Sequence, residues 1–278
     1  MSNASSRLSP ARSLPRLAWR GGMLTDAPRM VAEEAPVALT YGRATHAVML
    51  ATPSDLEDFA IGFSLSEGII AAPSEIEALS VVELPDGIEL RMDLAASRQA
   101  TLTRRQRRMA GASGCGLCGM ESLADAIRPV PAVGGSVSLT AQEVVAAIQT
   151  MHGAQRLNEM TRAMHAAGFW TRSGGLVAVR EDVGRHNALD KLSGALTRSG
   201  VDAGSGVLLL SSRVSVEMVQ KAAILGAPVI VAVSAPTALA VRIADRAGIT
   251  LIGIARPDGF EIFSHPHRIS AGPVHHVA

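Results

Sequence analysis

A chain of 278 residues with 47% apolar content is long enough for one large or two medium domains around a sizeable core. Its formal charge of +1 gives no global electrostatic signal for nucleic acid, so any anion site has to be local. No apolar run reaches spanning length without Gly, Pro or charge, and two cysteines in a close pair make no disulfide framework, which points to a soluble protein of the reducing cytoplasm with no membrane association.

The first twenty residues carry Arg7, Arg12, Arg16 and Arg20 and no acid, while Ser, Pro and Arg interrupt every apolar run. Residues 1–34 therefore read as a disordered basic tail, neither a signal peptide nor a span. Residues 35–128 read as a smaller, strand-rich α+β domain. Within it, 37–41 and 46–50 flank a Gly42-Arg43 turn as a hairpin. Ser54 with Glu57 three residues later predicts a capping box, opening a helix that Gly68 ends. Residues 81–84 and 88–92 around Pro85-Asp86-Gly87 predict a second hairpin. The run 102–109 is helical in propensity and carries Arg104, Arg105, Arg107 and Arg108. Such a run is usually a solvated face, yet it leads directly into the loop 110–119, Ser113-Gly114-Cys115-Gly116-Leu117-Cys118-Gly119. Glycines flanking a thiol give an unobstructed loop, and nearby arginines lower a thiol's pKa. An incidental pair, a reversible disulfide and half of a zinc site all remain open from this segment alone.

After one or two helical turns at 121–127, the Pro129–Gly135 stretch marks a boundary, and 136–278 alternate as an α/β sandwich. Thr140 with Glu143 caps a helix through Met151, and a second helix is predicted over 155–165. Strands at 176–180, 207–210, 229–233 and 251–254 alternate with helices at 186–198, 216–225 and 238–247. Continuous Val/Ile/Leu strands between helices of ten residues or so mean a sheet covered on both faces. Open α/β sheets bind ligands at the carboxyl ends of their strands. Three polar loops fall there: 180–187 with Arg185 and His186, 211–215 with Ser212 and Arg213, and 234–237 with Ser234. Arg256-Pro257-Asp258-Gly259 follows the next strand as a fourth wall. Ser215 and Thr237 suit ordinary N-caps, whereas Arg213 in a serine-rich loop suits a phosphate, so a nucleotide-like ligand is expected. His186 and Asn187, with Asp190 and Lys191 one turn on, form either a general base with an orienting carboxylate or a network that fixes a helix start and docks a ligand. Without a nucleophilic serine nearby the second is preferred. Histidines and cysteines show no metal-ligand spacing, so no metal site is assigned.

The segments Gly114–Gly119, Arg180–Lys191, Ser211–Ala222 and Val233–Thr237 together resemble the formate dehydrogenase accessory sulfurtransferase family (FdhD), over about Val37 to Ser264. The twelve residues through His186 are its most specific part. The resemblance implies a sulfur carrier that takes persulfide sulfur from a cysteine desulfurase. It passes that sulfur to the molybdenum or tungsten centre of a bis(molybdopterin guanine dinucleotide) cofactor destined for formate dehydrogenase. By the same resemblance Cys115 bears the persulfide, with Cys118 beside it. Ile254, Ala255, Arg256, Pro257, Asp258 and Gly259 contact the cofactor, the larger domain is cytidine deaminase-like, and the protein is a homodimer. Arg162 and Ala163 stand where the family pattern has glycines, and Pro257 where it has Gly or a polar residue. The alternative reading is a non-catalytic chaperone that carries the cofactor to apo-formate dehydrogenase. A zinc-dependent deaminase is argued against by the missing H-x-E and P-C-x-x-C signature.

Overall fold

The computed structural model describes residues 8–102 and 129–270. Cys115, Cys118, the basic run 104–108 and the helix expected at 121–127 lie outside the described residues.

Strands β5 (Ala35–Tyr41), β6 (Ala44–Ala51), β7 (Ile76–Leu84) and β8 (Gly87–Leu94) form a four-stranded sheet in the order β6-β5-β8-β7. Two antiparallel hairpins meet along a parallel seam, with Val37 opposite Ile88. Helix α1 (Leu56–Ser66) lays Phe59, Ala60 and Phe63 on Leu39, Tyr41 and Leu90, giving this part its own core. The expected Ser54–Glu57 box does not form. The N-cap is Asp55 in a left-handed conformation without a side-chain cap bond, the Ser54 hydroxyl has no partner among the described residues, and Glu57 instead pairs with Arg198. That salt bridge joins helices remote in sequence.

The second core surrounds a six-stranded sheet. Strands β10 (His165–Thr171), β11 (Gly175–Asp182), β12 (Val207–Leu210), β13 (Val229–Ala232), β14 (Thr250–Arg256) and β15 (Gly259–Ser264) run in the order β11-β10-β12-β13-β14-β15. Only β12-β13-β14 pair in parallel; the remaining neighbours are antiparallel. Helices α4 (Arg185–Arg198), α5 (Val216–Leu225) and α6 (Ala238–Ala247) cover one face, meeting Leu208, Leu210, Ile230 and Leu251. Helix α2 (Ala141–Ala154) covers the other, with Val144, Ile148 and Met151 against Leu209, Val231 and Ile252. The strands are apolar throughout because both faces are buried. Just before α2, β9 (Leu139–Thr140) pairs in parallel with Ile269–Ser270, and the Thr140–Glu143 capping box forms in both directions, at 2.8 and 3.2 Å. The helix expected over 155–165 ends early: α3 is only Arg156–Thr161, and His165 already starts β10. Val133, from the expected boundary stretch, is held to the second core through a 2.7 Å bond to Ala247 O.

The two cores meet where α1 crosses α4. A Cβ on Gly62 would lie 1.8 Å from Asp190 O, and one on Gly194 1.9 Å from Asp58 O, so the helices touch backbone to backbone. Asp58 binds Arg180 and Arg198 across this contact. The first core therefore rests on the helix whose start lies at the strand ends.

Residues 8–34 are not the disordered tail expected. Strands β1 (Ala11–Leu14) and β4 (Arg29–Ala32) pair antiparallel, and so do β2 (Leu17–Arg20) and β3 (Met23–Asp26). The two ladders follow one another along a single ribbon, broken where Pro15 faces Pro28, because neither has an N–H to donate. Gly21 and Gly22, both at positive φ, make the tip.

Candidate functional site

The carboxyl ends of β11, β12, β13 and β14 point to one edge of the six-stranded sheet, β11 through the antiparallel β10 between it and β12, and hydrogen bonds lace their loops into a row. His165 sits opposite Asp182 in the β10–β11 register. Ser211 donates from N–H to Ala166 O at 3.0 Å and accepts from Ala166 N–H on its hydroxyl at 2.8 Å. Val214 bridges Pro236, Thr237 N–H donates to Val214 O, and Ile254 N–H donates to Ser234 O. The row thus places Arg185, His186, Ser212, Arg213, Ser234 and Ile254 along one edge.

Asp182 organises its first part. Its Oδ1 accepts from Gly184 N–H at 2.7 Å and Asn187 Nδ2 at 3.0 Å; its Oδ2 accepts from Thr52 N–H at 2.9 Å and Lys191 Nζ at 2.6 Å. Lys191 also donates to Thr52 O, and Asn187 to Leu50 O. Both Asp182 and Lys191 side chains are 0% exposed. Burial pulls the Lys191 ammonium below its ordinary range even with Asp182 beside it. One turn on, Asp190 accepts from Lys221 at 2.7 and 2.8 Å and from Ser66 at 2.8 Å, and burial raises its carboxyl. Asn187, Asp190 and Lys191 are therefore committed to fixing the start of α4 and tying it to the first core. Thr52 and Ser66 belong to this network from strand and helix ends far away in sequence, and the sequence alone gave no signal for them.

What is left facing the edge is different in kind. The α4 N-cap is Gly184, and neither α4 nor α5 has a side-chain cap bond. Ser215 was expected to cap α5 and does not, whereas Thr237 caps α6 by accepting from Ala240 N–H at 3.2 Å. The start of α4, with no acid in its first turn, leaves backbone N–H groups and a positive dipole end for an anion, whereas at α5 the Glu217 carboxylate already occupies the first turn. Arg185 carries a buried Nε with no partner among the described residues, and Arg213 is exposed. Other positions offer less. Ser212 is buried with its hydroxyl on Arg213 O, and Arg256 turns back onto Ala255 O and Val233 O. The Ala255 side chain is in the core beneath α2, leaving its backbone alone to face a ligand. Pro257 and Asp258 are exposed in the turn to Gly259. Ile254 has φ 52, an outlier for a β-branched residue, where the β14–β15 register shifts. Among the described residues no three of His, Cys, Asp and Glu come together as metal ligands. A cavity of ≈ 300 Å³ opens at the opposite edge, between Trp170, Leu139 and Gly206, where Arg172 is already held by Glu143.

Burial pushes the His186 imidazole down to about 4, with Arg185 and Lys221 adding to the effect, Glu217 opposing it and His165 contributing least. His165 is lowered too, by burial and Arg185 against Asp182. At neutral pH His186 is thus an uncharged hydrogen-bonding group. The unfolded chain takes up this proton near 6.5 and the folded chain only near 4, so stability is whole above about pH 6.5 and falls as pH drops between these values. Allowing for the solvent-facing part of the ring, the loss is about 2 kcal/mol. Urea midpoints at pH 7 and 4.5 should show it, and His186→Gln should flatten that part of the profile.

The sequence model of the FdhD/NarQ family matches residues 32–270. The chain is 53% identical over 259 residues to the sulfur carrier protein FdhD of Agrobacterium fabrum, covering 93% of this chain and 96% of that one. It is 50% identical over 251 residues to the protein of the same name from Cupriavidus necator, covering 90% and 87%. Among solved structures, a formate dehydrogenase accessory protein from Desulfotalea psychrophila superposes with a TM-score of 0.72 at 24% identity, over 94% of this chain and all of that one. That likeness bears on the fold.

Proposed function

Because the chain belongs to the FdhD/NarQ family, we propose that it is a sulfur carrier acting in formate dehydrogenase maturation, with Cys115 as the residue on which the sulfur travels. The donor is a cysteine desulfurase. The Cys115 thiolate attacks the outer sulfur of the donor's persulfide; the donor's S–S bond breaks, a new one forms on Cys115, and the donor thiolate leaves with no net oxidation. The acceptor substrate is the molybdenum or tungsten bis(molybdopterin guanine dinucleotide) cofactor. Its phosphates suit the uncapped start of α4 together with Arg185 and Arg213. Cys118 accompanies the carrier thiol. No helix among the described residues is long and apolar enough to cross a membrane, and a reducing cytoplasm suits a working thiol.

The observation that carries the acceptor half is the buried, unpartnered Nε of Arg185 at a helix start that lacks a side-chain cap. A buried donor left unpaired costs about 1 to 3 kcal/mol, which an anionic ligand would recover. The carrier half is tested directly. Incubated with a cysteine desulfurase and cysteine, the protein should gain one sulfur, about 32 Da, on the peptide containing Cys115, and a thiol reductant should remove it. A protein that gains no sulfur yet still activates formate dehydrogenase would instead be a cofactor chaperone.

A further inference from the structure

Helix α3 ends at Arg162, whose φ of 61 puts an arginine in the left-handed region. Glycine enters that region freely, whereas a residue with a Cβ is strained there. The chain uses glycine where α5 and α6 end in the same conformation, at Gly226 and Gly248. Stability is given up at Arg162, and no contact of its side chain offsets the loss: the residue is exposed, and among the described residues no hydrogen bond or ion pair holds its guanidinium. The end of α3 does not need its charge either, because Arg29 already donates to Thr161 O at 3.1 Å.

The turn that carries Arg162 is fixed at the strand-end edge. Met164 N–H donates to Asn158 Oδ1 at 3.3 Å, and the Thr52 hydroxyl donates to Met164 Sδ at 3.6 Å. His165 then opens β10 opposite Asp182. Because β10 lies between β11 and β12 and runs antiparallel to both, its first residues stand between the strand ends that lead to Arg185 and to Arg213. The Arg185 charge acts on both His165 and His186, so these groups share one neighbourhood. The two acids that end β11 are already engaged. Glu181 accepts from Leu157 and Asn158 N–H at 2.9 and 2.8 Å, and Asp182 is held by Lys191 and the donors named above. Glu217, which also acts on His186, belongs to α5.

We infer, on the reading of this edge as the acceptor's anion site, that Arg162 is a phosphate-binding residue and that the site takes a diphosphate. Arg185 at the start of α4 meets one phosphate, and Arg162 meets the phosphate bonded to it. The first is served by Arg185 and the free N–H groups of α4, whereas the second needs a cation of its own. Strain kept at a position where glycine would relieve it marks a side chain retained for what it binds.

Calorimetric titration with guanosine diphosphate and guanosine monophosphate reads the ligand side, and thermal unfolding reads the strain. The unsubstituted chain should bind the diphosphate about tenfold tighter than the monophosphate. Arg162→Gly should weaken the diphosphate about tenfold and the monophosphate by less than about twofold, while the unfolding midpoint rises by about 2 to 4 °C. A residue that only supports the turn would not lose binding as stability rises. Arg162→Lys should keep diphosphate affinity within about threefold, since a point charge remains. Arg185→Gln should weaken both nucleotides alike. Equal affinity of the unsubstituted chain for the two nucleotides overturns the inference. So does an Arg162→Gly protein that binds the diphosphate undiminished or unfolds at a lower temperature; in each of these cases weakening by Arg185→Gln leaves the anion site standing. If neither nucleotide binds, or Arg185→Gln changes nothing, the anion-site reading falls together with the role of Arg162.

Discussion

Lys191→Met is expected to cost about 3 to 5 kcal/mol of folding stability, among the largest losses any single substitution in this chain should produce. Methionine matches the length of the lysine stem but removes the 2.6 Å partner of Asp182 in a place where neither side chain meets water. Burial already disfavours the ammonium, so the pair is no large net source of stability. The cost arises because a carboxylate remains behind in a low-dielectric site, with Gly184, Asn187 and Thr52 as its remaining donors among the described residues. Arg91→Gln, which breaks the exposed Arg91–Glu89 pair, should change stability by less than about 0.5 kcal/mol. Urea denaturation of the three proteins checks the ordering. Because Thr52 belongs to the first core and Lys191 to the second, the Lys191 variant should also show the two cores separating, as a lowered m-value or a second transition.

The buried strands were legible for the reason that makes this network expensive to break: the interior admits little but aliphatic side chains. β12 and β13 read as aliphatic runs, β14 as one broken once by Gly253, and all three stand within two residues of expectation. α5 and α6 match to the residue, each bounded by a polar loop and a glycine at positive φ. β10 was hidden because His-Ala-Ala-Gly-Phe-Trp-Thr is almost free of β-branched residues; its central place in the sheet, between β11 and β12, makes it a strand, not its propensity. β15 was missed because an exposed edge strand needs no apolar run. The N-terminal ribbon pairs with itself and buries little, so hydrophobic periodicity had nothing to report, although Gly21-Gly22 between Leu-Ala-Trp-Arg and Met-Leu-Thr-Asp was a hairpin signal. At the candidate site, the loops and Arg185 were readable from the βα alternation. The division between residues that hold the site and residues left to face a ligand was not, because it depends on Thr52, Ser66 and Lys221 arriving from elsewhere.

That division separates the two halves of the proposed chemistry, and substitutions should separate them too. Cys115→Ala removes the only atom that can accept the donor's sulfur in this reading, so the desulfurase-dependent gain of about 32 Da should vanish and activation of formate dehydrogenase should fall at least a hundredfold. Cys118→Ala should keep the mass gain, since an attacking thiolate needs no second thiol to accept a sulfur. Arg185→Gln should also keep it, because Arg185 belongs to the strand-end row and not to the thiol loop. Its loss should appear in binding of the guanine dinucleotide cofactor, about tenfold to a hundredfold weaker for one missing charge-assisted contact. A variant charged with sulfur that does not deliver it is the signature of a carrier whose loading and unloading lie in different parts of the chain. If Cys115→Ala still activates the enzyme, the sulfur does not travel on this residue, and cofactor binding at the strand ends must account for the whole activity.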